Sequence, residues 1–430
     1  MKVFIAPASS LQGSVKAPSS KNYSTRYLWI SALTNGESTI YSPAHNDDAR
    51  ALISCCQNLG ADIKEGKDYI KIKGFGRNPD DISDLNPENG GLVLRLLLAL
   101  GLFLREVRYT TRFQESLGKR PQGDLLAALR LLGAEVEDED GHLPITIRGG
   151  RPVIQREVEV SGLVSSQYAT ALLMIAPLLG GIKLRITGGL SSQPPLATTL
   201  QVMQEAGVEV NADWPHLSFQ VPALEYQPGE YWVPGDYPAA SALLAAAALL
   251  PSNVVIYNLH SDDQQGEKKI IPHLRKMGVE IEARDCEVMV KGGNLLQAID
   301  FYGDDAIDAV LSMAAVAAFA QGTTRFRRVA NLRWKESDRI GDFAGELRKL
   351  GVKVKELADG FIIKGSPKGY EGGIEINTYH DHRMVMTFSI LALRTRKGLV
   401  INGAEHVNKS YPDFFSDLTS LGATIKVLSD

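Results

Sequence analysis

A three-residue motif with a central glycine, typical of a helix end, occurs six times, as Leu59-Gly60-Ala61, Leu132-Gly133-Ala134, Ala206-Gly207-Val208, Met277-Gly278-Val279, Leu350-Gly351-Val352 and Leu421-Gly422-Ala423. Successive glycines are separated by 73, 74, 71, 73 and 71 residues. Each glycine follows an amphipathic stretch and precedes an alternating one, which is the pattern of a glycine that closes a helix before a strand. The 430-residue chain is therefore predicted to consist of six copies of one unit.

Within a copy, the apolar patterns predict the element order βαβαββ. In the third copy the predicted elements are a strand at 158–160, a helix at about 165–178, a strand at 183–186, a helix at about 195–205 and two short strands ending near 221. A solenoid is the alternative for any repeat. Units of this length can each close a sheet over two helices, which favours two domains of three units.

The composition is that of a globular protein, with 44% hydrophobic and 22% charged residues. A net charge of −4 and a pI of about 6.1 provide no overall basic field, so we expect neither nucleic acid nor membrane as a partner. The longest uncharged run, 237–260, is interrupted by Pro238 and Pro251. It predicts a buried helix followed by a strand, not a membrane span.

The cysteines are Cys55, Cys56 and Cys286, an odd number with one adjacent pair. This usage argues against a disulfide framework and favours a reducing compartment. Lys2 is followed by only a short apolar stretch before Pro7, so we predict no signal peptide. We expect a cytoplasmic protein.

Polar residues collect where helices are predicted to begin. The first helices of the copies begin at 20–22, 89–91, 165–167, 235–236, 308 and 381–383, and second helices begin near 47–48, 119–121, 192–194, 335–339 and 409–410. The fourth copy has no comparable basic cluster. Helix N-termini carry unpaired N–H groups and partial positive charge, so such a set is suited to phosphates and carboxylates.

Helix capping explains only part of this pattern. Ser19, Ser20, Ser165, Ser337 and Asp236 could each be simple caps. A cap needs an acceptor, whereas the helix dipole disfavours cations at this end. Six cations are nevertheless placed there, namely Lys21, Arg120, Lys335, Arg339, Arg383 and Lys409. They predict an anionic ligand.

Other chemistries lack support. The sequence contains no phosphate-binding or dinucleotide-binding glycine motif and no paired C-x-x-C. His380 and His382 could form a metal pair, but no further ligand cluster supports it, and we predict no metal and no cofactor. Asp308 and Glu336, beside so many bases, are typical of acid and base groups among anion binders. Structural ion pairs and a regulatory ligand-binding module stay open as alternatives.

Several motifs then follow one another in the order of a known family. They are Ser20-Lys21-x-x-Ser24-x-Arg26, Asn89-x-Gly91, Arg120-Pro121, Ser165-Ser166-Gln167, Gly235-Asp236, the run from Asn331 to Arg339, Asp381-His382-Arg383-Met384 and Lys409-Ser410-Tyr411-Pro412-Asp413. In this order the chain resembles the 5-enolpyruvylshikimate-3-phosphate synthase family, also called 3-phosphoshikimate 1-carboxyvinyltransferases, over essentially its full length. The K-E-S-D-R string at 335–339 and the D-H-R-M string are the specific signals.

The resemblance implies an α/β fold, a two-domain inverse α/β barrel of six βαβαββ units with the active site in the cleft between the domains. The chain of such folds crosses between domains twice, which implies one domain at 20–235 and another at 1–19 plus 236–430. The implied activity transfers the carboxyvinyl group of phosphoenolpyruvate to the 5-hydroxyl of shikimate 3-phosphate, in the pathway to chorismate and the aromatic amino acids. We expect a monomer.

The resemblance also implies roles. Asp308 would take the hydroxyl proton of the acceptor, and Glu336 with Lys21 would manage protonation of the enolpyruvyl methylene. Phosphoenolpyruvate would be bound by Lys21, Gly91, Arg120, Gln167, Arg339, Arg383 and Lys409. Shikimate 3-phosphate would be bound by Asn22, Arg26, Ser165, Ser166, Gln167, Ser192, Asp308, Asn331 and Lys335.

Some positions depart from the family's commoner pattern. Asn22 replaces a serine, Leu92 a threonine, Gln193 a lysine and Pro195 an aromatic residue. Most of these fall in the acceptor half, so a carboxyvinyl transferase acting on another hydroxylated ring stays open, beside a non-catalytic anion-binding repeat protein. A sister enzyme acting on UDP-N-acetylglucosamine carries a cysteine where this chain has Glu115, which argues against that activity.

Overall fold

The computed structural model describes residues 1–150, 157–304 and 306–428. The chain divides into two compact units. One consists of residues 19–233 and the other of residues 234–430 together with 1–18. We call them the 19–233 unit and the 234–430 unit.

The described residues form α-helices and short strands in regular alternation. The helices are α1 (Lys21–Ala32), α2 (Asp47–Asn58), α3 (Gly91–Leu100), α4 (Gly123–Leu131), α5 (Ser166–Ile175), α6 (Pro194–Glu205), α7 (Tyr237–Leu249), α8 (Ile270–Lys276), α9 (Val310–Ala318), α10 (Gly341–Lys349), α11 (His382–Leu393) and α12 (Phe414–Ser420). Strands of the 19–233 unit are β3 (Glu37–Tyr41), β4 (Asp62–Glu65), β5 (Tyr69–Lys73), β6 (Asp84–Leu85), β7 (Val107–Tyr109), β8 (Glu135–Glu139), β9 (His142–Arg148), β10 (Glu157–Gly162), β11 (Lys183–Leu190), β12 (Asn211–Asp213), β13 (Ser218–Gln220) and β14 (Glu230–Trp232).

Strands of the 234–430 unit are β1 (Lys2–Ile5), β2 (Leu11–Lys16), β15 (Ser252–Tyr257), β16 (Glu280–Ala283), β17 (Glu287–Lys291), β18 (Asp300–Tyr302), β19 (Thr323–Arg327), β20 (Lys353–Leu357), β21 (Gly360–Lys364), β22 (Ile374–Ile376), β23 (Leu399–Asn402) and β24 (Ile425–Leu428). Together with the strands of the 19–233 unit, these strands form six four-stranded sheets in the described part of the chain, all with the same arrangement of strands. In the sheet β10-β11-β13-β12, for example, the first pair is parallel and the other two pairs are antiparallel. The predicted order βαβαββ is confirmed in this copy.

Three sheets are completed by strands from distant parts of the chain. β2 pairs in parallel with β15, whereas β14 pairs in parallel with β3. The strand that precedes α1 thus belongs to the sheet of the fourth copy, and the strand that precedes α7 belongs to the sheet of the first. β1 likewise lies between β23 and β24. Residues near the start of the chain therefore complete two sheets of the 234–430 unit.

The repeated glycines have the backbone conformation that the sequence predicts. All six have positive φ, at Gly60 (96°), Gly133 (98°), Gly207 (84°), Gly278 (96°), Gly351 (90°) and Gly422 (113°). After α2, the N–H of Ala61 donates to Cys56 O at 2.9 Å and that of Gly60 to Gln57 O at 3.0 Å. This is the Schellman end of a helix, which needs a left-handed residue and so favours glycine.

The first helix of each copy lies in the core. Every residue of α3, α7, α9 and α11 is buried. α7, α9 and α11 pack on one another in the 234–430 unit, and α3 packs on α5 in the 19–233 unit. α7 followed by β15 confirms the buried helix and strand predicted for the uncharged run at 237–260. Among the described residues, no helix has the length and apolarity needed to cross a membrane.

The predicted starts of the second helices need correction. α4 begins at Gly123, α10 at Gly341 and α12 at Phe414. Arg120, Lys335 and Lys409 therefore precede their helices by several residues, and Lys409 ends the 3₁₀ helix Ala404–Lys409. The dipole argument applies directly to Lys21, the first residue of α1, and to Arg383 in the first turn of α11. Lys335, Arg339 and Lys409 lie beside carboxylates, whereas Arg120 donates to Ser116.

Candidate active site

In the 234–430 unit, predicted site residues converge on the guanidinium group of Arg339. Its Nε donates to Asp381 Oδ2 at 2.8 Å, and its Nη2 donates to Asp381 Oδ1 at 3.0 Å and Glu336 Oε2 at 2.8 Å. Its Nη1 donates to Asp308 Oδ1 at 3.0 Å. Lys409 Nζ lies 3.1 Å from Glu336 Oε1. We call Arg339, Asp308, Glu336, Asp381 and Lys409 the Arg339 cluster.

The cluster is buried, which makes its charges strongly interdependent. The side chain of Arg339 is 2% exposed, that of Glu336 8% and that of Asp381 0%. Burial by itself would lower the pKa of Arg339, but the adjacent carboxylates of Asp381, Glu336 and Asp308 outweigh it and hold that pKa above its usual range. The arginine is therefore a permanent cation in contact with three carboxylates.

Asp308 is the accessible carboxylate of the cluster. Its side chain is 25% exposed. It lies on a 3₁₀ turn, Ile307–Ala309, and α9 begins after it at Val310 with no side-chain cap. Asp308 is therefore not the N-cap of α9. Besides Arg339, it faces Arg383 Nη2 at 3.9 Å and Lys335 Nζ at 4.0 Å.

The remaining predicted residues of this unit flank the cluster. Asn331 lies on the 3₁₀ helix Ala330–Trp334, directly before Lys335. Arg383 is buried, and its Nη1 donates to Pro238 O at the start of α7. Its Nε is buried without a hydrogen-bond partner within the described part of the chain. A buried cationic donor of this kind is suited to an anionic ligand.

Asp381, a member of the cluster, and Ser337, which contacts it, were not assigned to the site from the sequence. Asp381 is the N-cap of α11, accepting from Arg383 N at 2.8 Å, and it also binds Arg339. Ser337 donates to Asp381 Oδ2 at 2.9 Å and is not a helix cap. Both stand inside the two specific strings, 335–339 and 381–384, so their position in the motifs was the available signal.

The cluster does not favour a metal. Glu336, Asp381 and His382 offer ligand atoms within 4.8 Å of one another. The guanidinium of Arg339, however, is hydrogen-bonded to both carboxylates and supplies the positive charge that a metal would supply. His380 is not paired with His382 as considered from the sequence, because its Nδ1 lies 2.9 Å from His406 Nε2.

In the 19–233 unit, a second cluster forms around Gly91, the first residue of α3. A Cβ at Gly91 would lie 2.7 Å from Arg120 Nη1 and 3.1 Å from Arg95 Nη1. Arg95 Nη1 also donates to Gln167 Oε1. The structure thus brings together Gly91, Arg120 and Gln167, as the resemblance implies, and adds Arg95. We call these residues the Gly91 cluster.

Buried contacts hold the arginines of the Gly91 cluster in place. Arg95 Nε donates to Gln122 Oε1 at 3.1 Å, and its guanidinium carbon lies 5.2 Å from the ring centre of Tyr168. Gln122 Nε2 in turn donates to Arg120 O at 3.0 Å. Arg95 is 5% and Arg120 7% exposed. Two guanidinium groups beside a glycine helix start form a surface to which a phosphate or carboxylate can bind.

Lys21 is held at the start of α1 by an ion pair. Its Nζ lies 3.2 Å from Asp48 Oδ2 at the start of α2. Arg26, five residues along α1, is buried and donates to Thr199 Oγ1, Asn22 O and Pro195 O, each at 2.9 Å. Burial lowers the pKa of Arg26 to about 10. These bonds tie α1 to α6.

The predicted serines lie at the starts of α5 and α6. Ser165 is the N-cap of α5, accepting from Gln167 N at 3.2 Å, and Ser166 is the first residue of the helix. Ser192 is buried just before α6. Leu92 is also buried, in the hydrophobic core of the 19–233 unit. The leucine that stands where the family commonly has threonine is therefore packed in the core.

Known structures identify the class to which this fold belongs. EPSP synthase from Acinetobacter baumannii matches with a TM-score of 0.82 and 25% identity, covering all of both chains. The enolpyruvyl transferase NikO from Streptomyces tendae matches with a TM-score of 0.78 over 99% of this chain and 98% of that chain. Its 17% identity shows the fold alone. The fold is that of the enolpyruvyl transferases.

The chain belongs to the EPSP synthase (3-phosphoshikimate 1-carboxyvinyltransferase) family, whose model matches residues 5–418. A 3-phosphoshikimate 1-carboxyvinyltransferase of Deinococcus radiodurans is 44% identical over 423 residues, covering 98% of this chain and 96% of that protein. One of Methanosarcina acetivorans is 36% identical over 441 residues, covering 100% of both. These findings confirm the predicted family, the fold class and the prediction of a transferase.

Proposed function

We propose that the chain transfers the carboxyvinyl group of phosphoenolpyruvate to the 5-hydroxyl of shikimate 3-phosphate and releases phosphate, on the route to chorismate and the aromatic amino acids. Family membership and the names of the relatives support both the acceptor and the group transferred. The observation that carries the proposal is the Arg339 cluster, in which a buried arginine joins an accessible carboxylate, Asp308, to a buried one, Glu336. A cytoplasmic, monomeric enzyme completes the proposal.

Both substrates carry a phosphate and a carboxylate, which arginine and lysine side chains bind. Phosphoenolpyruvate would be bound by Lys21, Gly91, Arg120, Gln167, Arg339, Arg383 and Lys409. Shikimate 3-phosphate would be bound by Asn22, Arg26, Ser165, Ser166, Gln167, Ser192, Asp308, Asn331 and Lys335.

Addition requires one proton to leave and one to arrive. Asp308 takes the proton of the 5-hydroxyl while the oxygen forms a bond to C2 of phosphoenolpyruvate. Glu336, with Lys21, delivers a proton to C3, which becomes a methyl group. The product of this step is a tetrahedral intermediate that still carries the phosphate. The exposure of Asp308, 25% against 8% for Glu336, suits it to meet the acceptor.

Elimination then restores the double bond. The bond between C2 and the phosphate oxygen breaks, phosphate leaves with its electron pair, and C3 returns a proton. The carboxyvinyl ether of the acceptor and inorganic phosphate are the products. Fixed cations at Arg383 and Lys409 stabilise the charge that gathers on the departing phosphate without having to reorganise.

Release of phosphate from phosphoenolpyruvate tests the proposal. We expect release that depends on added shikimate 3-phosphate and a product that is larger than the acceptor by one carboxyvinyl group, detected by mass spectrometry. Shikimate without its phosphate is the control and should react poorly. If phosphate is released with another hydroxylated ring and not with shikimate 3-phosphate, the acceptor is that other ring. Gel filtration with light scattering tests the monomeric state.

A further inference from the structure

The fourth copy, which lacks a basic cluster, contributes an acidic residue instead. Glu267 lies on the 3₁₀ helix Gly266–Lys269, directly before α8. The residue is buried, and its Oε1 accepts from the backbone N–H of Asp308 at 3.2 Å. Glu267 thus contacts the turn that carries the accessible carboxylate of the Arg339 cluster.

The turn that carries Glu267 is itself fixed to the start of α7. Gln265 Oε1 accepts from Tyr237 N at 3.1 Å, and Gln265 Nε2 donates to Gly235 O at 2.7 Å and Asp263 Oδ2 at 3.0 Å. Gln265 is also buried. Buried hydrogen bonds therefore hold the turn that carries Glu267, and the contact of Glu267 with Asp308 is not a surface contact.

The carboxylate of Glu267 offsets the effect of nearby cations, which would otherwise make Asp308 a weak base. Cationic groups of Arg339, Arg383 and Lys335 lie 3.0, 3.9 and 4.0 Å from its oxygens. Cations at such distances stabilise the ionised form and make a carboxylate a weak base. A second negative charge close to Asp308 has the opposite effect and raises its affinity for a proton.

The electrostatics of Glu267 agree with this geometry. Burial, followed by the charge of Asp308, raises the pKa of Glu267 to about 7, against a smaller lowering by Arg383. The interaction is mutual, so the ionised Glu267 must also raise the proton affinity of Asp308.

We propose that Glu267 is a positioning residue for Asp308, holding the turn that carries this base and placing a second carboxylate against it so that it can accept the hydroxyl proton. The inference rests on the proposed function, because it assigns a partner to the base of that reaction. Asp308 touches the acceptor, whereas Glu267 acts through Asp308.

The elements that surround Glu267 also carry charged groups. They are Asp308 on its turn, Arg383 on α11, Asp236 at the start of α7, and Asp263, Lys268 and Lys269 on the segment of Glu267 itself. The carboxylate of Asp236 accepts from Ala239 N at 2.7 Å, and Lys268 Nζ donates to Ser261 O and Asp263 O, each at 2.7 Å. Asp308 and Arg383 are therefore the groups that set the charge balance of Glu267.

The experiment compares Glu267→Gln with the wild type. Glutamine can still accept the Asp308 N–H but carries no charge, so the turn is kept and the electrostatic effect is lost. We expect kcat at pH 8 to fall about tenfold, the effect of about one pKa unit of base strength, with KM values changed less than about twofold. Near pH 5.5, where Glu267 of the wild type is protonated, the two rates should converge.

Glu346→Gln is the matched control. Glu346 is also buried and accepts a backbone N–H, from Asn377 at 3.3 Å, but its side-chain partners are Lys349 and Tyr379. We expect it to lower the melting temperature without changing kcat or its pH profile. An active wild type with an unchanged kcat and pH profile in Glu267→Gln would overturn the inference. So would a loss of kcat in Glu267→Gln that is equal at every pH.

Thermal unfolding provides a readout that needs no substrate. Because folding raises the pKa of Glu267, the stability that its protonated form contributes is present at low pH and is lost as pH rises from about 4.5 to about 7. Glutamine cannot titrate, so the melting temperature of Glu267→Gln relative to wild type should increase across this window. A constant difference would overturn the inference. An inactive wild type that shows the expected melting shift would instead contradict the proposed function.

Discussion

Asp308 Oδ1 accepts a hydrogen bond of 3.0 Å from Nη1 of Arg339, and the neighbouring Nη2 of the same guanidinium donates to Glu336 at 2.8 Å. The candidate base and the candidate acid of the proposed reaction are thus joined through one buried cation. A proton gained by either carboxylate removes a negative charge beside Arg339 and so changes the electrostatic environment of the other carboxylate. The two proton transfers of the addition step are therefore electrically linked.

Asp308→Asn separates base catalysis from structure. Asparagine retains an oxygen that can accept from Arg339 Nη1, but it cannot take a proton. Because the base is lost, we expect turnover to fall roughly 10²–10⁴-fold. Steady-state rates and thermal melting should be measured on the same preparation.

Asp300→Asn is the control for that measurement. Asp300 pairs with Arg325 at 3.5 Å in the same unit, and both side chains are substantially exposed. Its substitution should leave turnover unchanged, since exposed pairs contribute little. Near-normal turnover and unchanged melting in Asp308→Asn would remove Asp308 from the mechanism.

Glu336→Gln tests the role of the buried carboxylate. The amide oxygen can accept from Arg339 Nη2 or from Lys409, while the proton donor for the methylene is lost. We expect kcat to fall more than substrate affinity, because the carboxyl group would act mainly in the transition state. Exchange of deuterium from solvent into the methylene of phosphoenolpyruvate provides an independent measurement. Exchange at the wild-type rate would exclude Glu336 as the donor.

Gly91→Ala tests whether phosphoenolpyruvate binds at the Gly91 cluster. The added Cβ would lie 2.7 Å from Arg120 Nη1, so this guanidinium must move. We expect KM for phosphoenolpyruvate to rise about tenfold, equivalent to about 1.4 kcal/mol, with a smaller effect on the acceptor.

Gly123→Ala is the matched control, because Gly123 is likewise the first residue of a helix in this unit. A Cβ at Gly123 meets nothing within 4 Å. We expect wild-type kinetics from this variant. Equal KM values for phosphoenolpyruvate in the two alanine variants would show that the space beside Arg120 is not used by the substrate.

Local sequence patterns predicted the repeated elements well. The glycines that end second helices have the predicted left-handed backbone, because the requirement for positive φ leaves a direct mark on residue choice. The exchange of β2 and β14 between the sheets of the first and fourth copies was not predictable in this way. These strands pair across separations of 191 residues (Thr39 to Glu230) and 241 residues (Leu11 to Ser252), and such pairing depends on tertiary packing, which periodicity does not record.

Some site residues can be identified from the sequence, and others only from the folded chain. Bases and serines in specific strings could be named from the sequence, whereas Glu267 and Arg95 could not. Glu267 follows no motif of its own, and Arg95 stands among leucines within a helix. Their importance comes from burial beside Asp308 and Gly91, which only the folded chain shows. The folded chain likewise has 3₁₀ turns before α9 and α10, so residues predicted to begin these helices lie on connecting segments.

Cysteine reactivity provides a test that is independent of catalysis. Burial raises the pKa of Cys55 to about 12 and that of Cys56 well above its ordinary value, whereas Cys286 is exposed. Since the thiolate is the reactive form, a thiol reagent should modify Cys286 in the native protein and the other two only after unfolding. Cys286→Ser should abolish the native reaction. Rapid native labelling of Cys55 or Cys56 would contradict the packing around α2.

The last prediction concerns the charge balance of the Arg339 cluster. Lysine at position 339 would retain one positive charge but cannot reproduce the planar, multidentate contacts to Asp308, Glu336 and Asp381. At least one buried carboxylate would lose its hydrogen bond to the guanidinium, which costs about 3 kcal/mol or more of the free energy of unfolding. An unpaired buried carboxylate has a raised pKa, so this loss should be greater at pH 8 than at pH 5.5.

Arg333→Lys is the control. Arg333 pairs with Asp338 at 2.7 Å and Glu356 at 2.9 Å but is 25% exposed, so this substitution should lower the free energy of unfolding by less than about 1 kcal/mol. Urea unfolding of both variants at the two pH values makes the comparison. Equal, pH-independent losses would show that the contacts of Arg339 with these carboxylates do not stabilise the fold.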